Sequence, residues 1–168
     1  MKLLFLVRHA KSSWDDPTLD DHDRPLNTRG YSNLPTMIHR LDAWQTGPQL
    51  IATSTALRAS ETAYHFANGL TCQPKLAAHS ALYSESADEL LTFIQGSSDT
   101  VDRLMIVCHN PAITDLANRF GMTVENIPTC GIAVFRFAAD CWQAVSGDQA
   151  ILYFYDYPKR DIAMPDGE

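Results

Sequence analysis

Cysteine is scarce and unpaired here: Cys72, Cys108, Cys130 and Cys141 are the four present, and none stands in a Cys-x-x-Cys or other metal-ligand spacing. That excludes a cysteine-based zinc framework and a dithiol redox motif, and it predicts reduced thiols. Cys108 precedes His109, which allows a reactive-thiol reading, but a small buried strand residue is the commoner use of a free cysteine. Carboxylates clustered at metal spacing are also missing, so neither a metal nor another cofactor is expected. No apolar run reaches the ~20 residues a membrane-spanning helix needs. The apolar stretch Met1 to Val7 is too short for a signal-peptide core, and Arg8-His9 interrupt it without a small-residue cleavage site. It reads as the first strand of a cytoplasmic protein. Positive charge is in deficit: a net charge of −7 argues against general binding of nucleic acid. Repeats and linkers are absent too, so the 168 residues predict one domain over 1–157 and a polar tail over 158–168. Nothing in the sequence fixes an oligomeric state.

What is present begins where the first apolar run stops. Leu3-Leu4-Phe5-Leu6-Val7 reads as a strand covered on both faces, and Arg8-His9 follow it directly. Taken alone, such a pair equally suits a strand end with no further role. The arrangement recurs, however. Arg103 to Cys108 reads as another buried strand, and it ends on His109. Asn110-Pro111 then supply an N-cap and a first helical residue, which places His109 beside a helix N-terminus, where anions are favoured. Between the two lies Leu50-Ile51-Ala52-Thr53, followed by a helix carrying Arg58 in its first turns. Ligands of open α/β sheets bind beyond the carboxyl ends of the strands. Three strand ends therefore bring Arg8, His9, Arg58 and His109 towards one rim, a cationic pocket in an anionic protein.

The rest of the chain predicts an α/β fold. Helices are expected over 29–44 with Pro35 limiting or kinking the early part, over 57–68 with Asn68-Gly69 as C-cap, over 87–94 closed by Gly96, and over 111–120 closed by Gly121. Strands over 131–137 and 151–155, joined through Ser146-Gly147-Asp148, predict an antiparallel edge on a parallel sheet. The acidic, turn-rich stretch from Asp15 to Asp23 predicts a loop over the site.

Arg8-His9, the helix Arg58-Ala59-Ser60-Glu61-Thr62-Ala63, the late His109 and the segment Arg24-Pro25-Leu26-Asn27-Thr28-Arg29-Gly30 together resemble the histidine phosphatase, or phosphoglycerate mutase-like, superfamily. Within it the chain is most similar to the SixA-type phosphohistidine phosphatases, from Lys2 to about residue 137. The resemblance implies a three-layer α/β/α sandwich with a mostly parallel central sheet and an antiparallel edge. It also implies a metal-independent phosphatase in which His9 attacks phosphorus to form a phosphohistidine enzyme intermediate. Spacing alone leaves His9 and His109 exchangeable; the resemblance assigns the attack to His9. Arg8, Arg58 and His109 would stabilise charge on the phosphoryl oxygens.

Further candidates are less sharply defined. Arg24 matches an arginine that lies near the phosphate in SixA-type enzymes, and it serves equally to anchor the loop to Asp20, Asp21 or Asp23. Lys11 and Ser12 follow the nucleophile and either donate to phosphate or shape the loop, and Asn110 is a further candidate substrate contact. His22, His39, His65 and His79 read as surface or helix-face residues. Two departures from the family matter. Ala10 stands where a glycine is usual, which is tolerable if φ there is not positive. Asn110 stands where many relatives carry an acidic proton donor, which leaves Glu85 as the candidate general acid unless it caps the helix starting near Ser86. A site without an obvious acid suits phosphohistidine, whose imidazole leaves readily once protonated, better than an alkyl phosphate. The short chain, with no long insertion to close a lid, points the same way. The expected substrate is thus phosphohistidine on a signalling or phosphotransfer protein. The alternatives are a small-molecule phosphomonoesterase and a phosphate- or phosphoprotein-binding module without turnover.

Overall fold

The computed structural model describes residues 1–160. In chain order its regular elements are β1 (Lys2–Arg8), α1 (Thr28–Ala43), β2 (Leu50–Thr53), α2 (Leu57–Gly69), β3 (Lys75–Ala78), α3 (Ala87–Gln95), β4 (Arg103–Cys108), α4 (Ala112–Arg119), β5 (Ile132–Phe137) and β6 (Ala150–Asp156). The strands form one sheet in the order β3-β2-β4-β1-β5-β6. β1 to β4 run parallel, β5 is antiparallel to β1, and β6 is antiparallel to β5.

The layers follow from the unbroken apolar runs. Side chains alternate across a strand, so Leu4, Leu6, Leu104 and Ile106 join one core, with Leu90 and Ile94 of α3 and Ile113 and Leu116 of α4. Phe5, Val7, Met105 and Val107 join the other, with Leu34, Met37 and Leu41 of α1 and Ala63 and Phe66 of α2. A strand buried on both faces has no polar positions, which is why these runs are continuous. Each such Leu, Ile or Phe contributes roughly 1.5–3 kcal/mol by leaving water. The result is the three-layer α/β/α sandwich with a mostly parallel sheet and an antiparallel edge.

Several local expectations are revised. β3 is absent from the sequence reading because Lys75-Leu76-Ala77-Ala78 is short and largely exposed; its pairing with β2 makes it a strand. α1 runs through Pro35, which faces solvent, while the buried stripe Leu34, Met37 and Leu41 carries the helix across. Gly69 ends α2 from inside, with extended Leu70 as the C-cap; a Cβ on Gly69 would meet the Ile38 side chain at 2.9 Å, so the glycine serves the approach of α1 to α2. Asn110 does not cap α4: the helix starts at Ala112 with Pro111 at the cap position, because the Asn110 carboxamide is engaged elsewhere. Gly121 adopts the left-handed φ of 101° that ends α4 as expected. Of the polar tail, Pro158 to Arg160 follow β6 as a turn, and 161–168 lie outside the described residues.

One glycine matters for the site. The side chain of Asn27 caps α1 by accepting from the Gly30 N–H at 2.8 Å, and the Lys11 carbonyl accepts the Asn27 N–H at 2.9 Å. α1 is thereby drawn against the chain that follows His9, and a Cβ on Gly30 would lie 2.2 Å from the Lys11 carbonyl oxygen. Backbone, not a flexible side chain, must then move. Gly30→Ala is expected to destabilise the fold by about 1–3 kcal/mol, measured as a lower urea midpoint at an unchanged slope. A neutral or stabilising effect would show that the two segments are not held together.

Candidate active site

The strand order sets up the rim. β2, β4 and β1 are adjacent, with Thr53 level with Val107 and Arg8 level with Cys108. The residues just past their carboxyl ends, Ser54, His109 and His9, must therefore meet. The backbone extends the ladder to them, Ser54 N–H donating to Val107 (2.9 Å) and His9 N–H to Cys108 (3.2 Å). The rings of His9 and His109 lie 5.2 Å apart, centroid to centroid. His9, Arg58 and His109 are all about 6–7% exposed.

His9 is held in one tautomer. Its Nδ1 lies 2.7 Å from the Ala10 carbonyl, which can only accept, so Nδ1 carries the proton and Nε2 the lone pair. The Ala10 N–H in turn donates to Thr62 Oγ1 (3.0 Å), whose hydroxyl donates to the Arg58 carbonyl (2.7 Å). One threonine thus ties the His9 loop to the helix that carries Arg58. Ala10 is fully buried, and the non-glycine residues with positive φ among those described are Gln45, Gln73 and Cys130, so the alanine is unstrained.

Burial is the main cause of the low proton affinity of His9, lowered to about 3; His109, Arg58 and Arg8 add repulsion. His109 is lowered to about 4, again chiefly by burial and then by Arg58. Both rings are neutral at pH 7. The ordinary value is 6.5, so between about 6.5 and 4 the unfolded chain binds more protons than the folded one. Stability accordingly rises with pH across that window and is lost as pH falls. We expect the urea midpoint of the wild type to drop between pH 6.5 and 4 by more than that of His9→Asn/His109→Asn. Parallel pH profiles would overturn the assignment.

Arg58 Nη1 donates to the Asp21 carbonyl (2.6 Å) and Nη2 to its carboxylate (2.9 Å). Tyr83 donates to the same carboxylate at 2.6 Å. The Tyr83 hydroxyl first, then Arg58 and Arg24, hold the Asp21 carboxyl well below the usual range, so it stays ionised. Arg8 Nη1 donates to the Ile127 carbonyl at 2.8 Å. Among the described residues, the buried side-chain nitrogens left without a partner are Arg8 Nε, Arg58 Nε and His109 Nδ1. All three belong to this one site. Buried polar groups are rarely left unsatisfied, and two guanidinium N–H groups without acceptors beside a neutral imidazole have the donor chemistry that suits an oxyanion.

The remaining candidates fall into place around it. Glu85 is exposed and lines an open cleft of about 390 Å³ together with Asp21, Arg58, Tyr83, Ser84, His109 and Asn110. Ser86, not Glu85, caps α3. Asn110 lines the cleft too, but its Nδ2 donates to Asn126 and the Ile127 carbonyl, and its Oδ1 accepts from Thr114 (2.6 Å), so it pins the loop at 126–127. Arg24 makes the anchoring contacts: it bonds Asp21, Ser12 Oγ (2.8 Å) and the Ser13 carbonyl, and its guanidinium lies 3.6 Å from the Trp14 ring centroid. Ser12 is its acceptor. Lys11 is half-buried. Burial pushes the Cys108 thiol up to about 12, which removes the reactive-thiol reading. Ser54 and Tyr83 have no expected role in the sequence, Asp21 is expected only as one possible anchor of Arg24, and His22, expected at the surface, is half-buried with its Nε2 2.9 Å from Thr55 Oγ1. A polar residue directly after a buried strand is the available signal for Ser54; nothing local marks Tyr83 or His22.

A lone-pair-bearing imidazole nitrogen beside unpartnered guanidinium N–H groups, at the carboxyl rim of this three-layer sandwich, is an arrangement able to receive a phosphoryl group. The histidine phosphatase superfamily (branch 1) model matches residues 4–80. An uncharacterized chloroplastic protein of Arabidopsis thaliana is 30% identical over 157 residues, covering 86% of this chain and 72% of the relative. The chain belongs to the histidine phosphatase superfamily. Its fold is that of the SixA structures. One, from Agrobacterium tumefaciens and bearing the name phosphohistidine phosphatase SixA, superposes with a TM-score of 0.79 at 24% identity over 94% of this chain and 98% of that one. A protein histidine phosphatase SixA complexed with tungstate gives 0.77 at 19% identity over 93% and 97%.

Proposed function

We propose that this phosphatase removes the phosphoryl group from phosphohistidine on a signalling or phosphotransfer protein, through a covalent intermediate on His9. The observation that carries the reading is the set of buried nitrogens without partners, Arg8 Nε, Arg58 Nε and His109 Nδ1, in the same site as a histidine whose Nε2 is unprotonated. In the first step the Nε2 lone pair forms an N–P bond while the P–N bond to the substrate imidazole breaks, and that imidazole takes up a proton. Water then attacks phosphorus, the His9–phosphorus bond breaks, and inorganic phosphate leaves. Charge on the transferring group spreads over its equatorial oxygens, which the arginines and His109 receive.

The leaving group argues for phosphohistidine. Asp21 is ionised and both histidines are neutral near pH 7, so none of the three is a ready proton donor. An alkoxide leaving group would need one, whereas an imidazole becomes a good leaving group on taking a proton from water. The cleft is open, which suits a side chain presented by a protein. The tungstate held by a SixA structure is a tetrahedral oxyanion of the kind such a site takes.

The test is turnover of a phosphohistidine-bearing phosphotransfer domain beside a panel of small phosphoesters. Faster loss of phosphate from the protein substrate, with Glu85→Gln within about tenfold of wild type, supports the reading. Preference for small esters, with Glu85→Gln strongly impaired, replaces it with a small-molecule phosphomonoesterase in which Glu85 is the acid. Binding of phosphate with no turnover of either substrate leaves a binding module.

A further inference from the structure

We infer that Ser54 is a positioning residue, which fixes His109 in the tautomer that carries its proton on Nδ1. The inference rests on the phosphoryl site proposed above, but its decisive measurement does not require turnover.

Ser54 is fully buried, one residue past β2, and its Oγ lies 2.7 Å from His109 Nε2. The parallel register of β2 and β4 brings the two residues together. A hydroxyl and an imidazole nitrogen can share a proton either way, so the direction is decided by the other bonds. Ser54 Oγ already accepts the Ala56 N–H at 3.2 Å. Its own hydrogen has no other acceptor among the described residues.

If His109 Nε2 were the donor, Ser54 Oγ would accept twice and the serine hydrogen would be buried without a partner. Nδ1 would then present a lone pair with no donor opposite it. If Ser54 donates instead, Nε2 accepts, every bond of the serine is satisfied, and the one unmatched group is Nδ1–H. Leaving a buried polar group unpaired costs about 1–3 kcal/mol, so the arrangement with one orphan prevails over the arrangement with two. The choice matters chemically. His109 lines the cleft, and Nδ1 is the one ring nitrogen not taken up by Ser54. As an N–H it donates to a phosphoryl oxygen; as a lone pair it repels one. A single buried hydroxyl therefore decides whether the neutral His109 stabilises or opposes the bound oxyanion.

The experiment is ¹⁵N NMR of the imidazole nitrogens at pH 7 in the ligand-free protein, with the His109 resonances identified by their loss in His109→Gln. The wild type is expected to show a protonated Nδ1 and an unprotonated Nε2, and Ser54→Ala to shift His109 towards the opposite tautomer or a mixture. Ser54→Thr, which retains the hydroxyl, restores the wild-type pattern. In turnover, Ser54→Ala is expected to lose about tenfold or more in kcat/KM, with recovery in Ser54→Thr. A wild-type His109 protonated on Nε2, or a tautomer unchanged by Ser54→Ala, overturns the inference. Because the spectra are read without substrate, they decide it even if the protein fails to dephosphorylate phosphohistidine; that failure counts against the proposed function alone.

Discussion

His9→Ala is expected to lose on the order of 10⁴- to 10⁶-fold in kcat, the scale seen when a covalent nucleophile is removed. In the proposed mechanism His9 is the nucleophile, and its geometry says which atom reacts: Nδ1 is committed to the Ala10 carbonyl, which leaves the lone pair on Nε2. Its proton affinity, lowered to about 3, means no base is needed to free the lone pair at neutral pH. Wild type quenched during turnover in denaturing alkali should carry acid-labile, base-stable phosphate, and His9→Ala should carry none. Inorganic phosphate binding should survive, because the arginine donors do not depend on the His9 ring. His9→Ala turning over at the wild-type rate would remove the covalent mechanism.

The sequence makes the rim legible because its residues sit at the ends of unbroken apolar runs. Arg8, His9 and His109 are each one or two residues past the point where burial on both faces stops, and Arg58 opens the first turn of the helix after β2. Strand ends are the places where one-dimensional pattern and three-dimensional position coincide. The contacts that hold the site are not of that kind. Asp21 is one of several aspartates in an acidic loop, and only the fold reveals that Arg58, Arg24 and Tyr83 converge on it. Tyr83 lies in a turn between β3 and α3 with no periodicity to mark it. Arg24 shows the limit most plainly. Its two readings, phosphate contact and loop anchor, differ in side-chain direction, which no spacing encodes; only the fold shows its bonds to Asp21, Ser12 and Ser13. Asn110 failed as a cap for a related reason. Asn-Pro at a helix start is a sound local signal, but two tertiary hydrogen bonds and a local one from Thr114 outweigh one cap.

Arg8→Lys is expected to cost about 10²- to 10³-fold in kcat/KM, nearly as much as Arg8→Ala, although it preserves the charge. The reason lies in how the guanidinium is divided. Nη1 is tethered to the Ile127 carbonyl at 2.8 Å, and that bond holds the plane of the group while Nε is left without an acceptor. A lysine ammonium is one nitrogen at the end of a flexible stem. It can take the Ile127 carbonyl or the phosphoryl oxygen, and in either case one partner loses its donor. Arg58 reinforces the demand for a fixed direction, because it lies close enough to lower the proton affinity of Arg8, after the effect of burial. Two like charges remain side by side without collapse of the site only if each is braced, Arg8 by Ile127 and Arg58 by Asp21. A mobile ammonium would swing away from Arg58 and out of the site. Steady-state kinetics of wild type, Arg8→Lys and Arg8→Ala on one substrate, with Kd for inorganic phosphate measured alongside, separates charge from direction. If Arg8→Lys stays within about tenfold of wild type, net charge suffices. A loss close to that of Arg8→Ala means that the braced N–H vector of Arg8, rather than its charge, stabilises the transferring phosphoryl group.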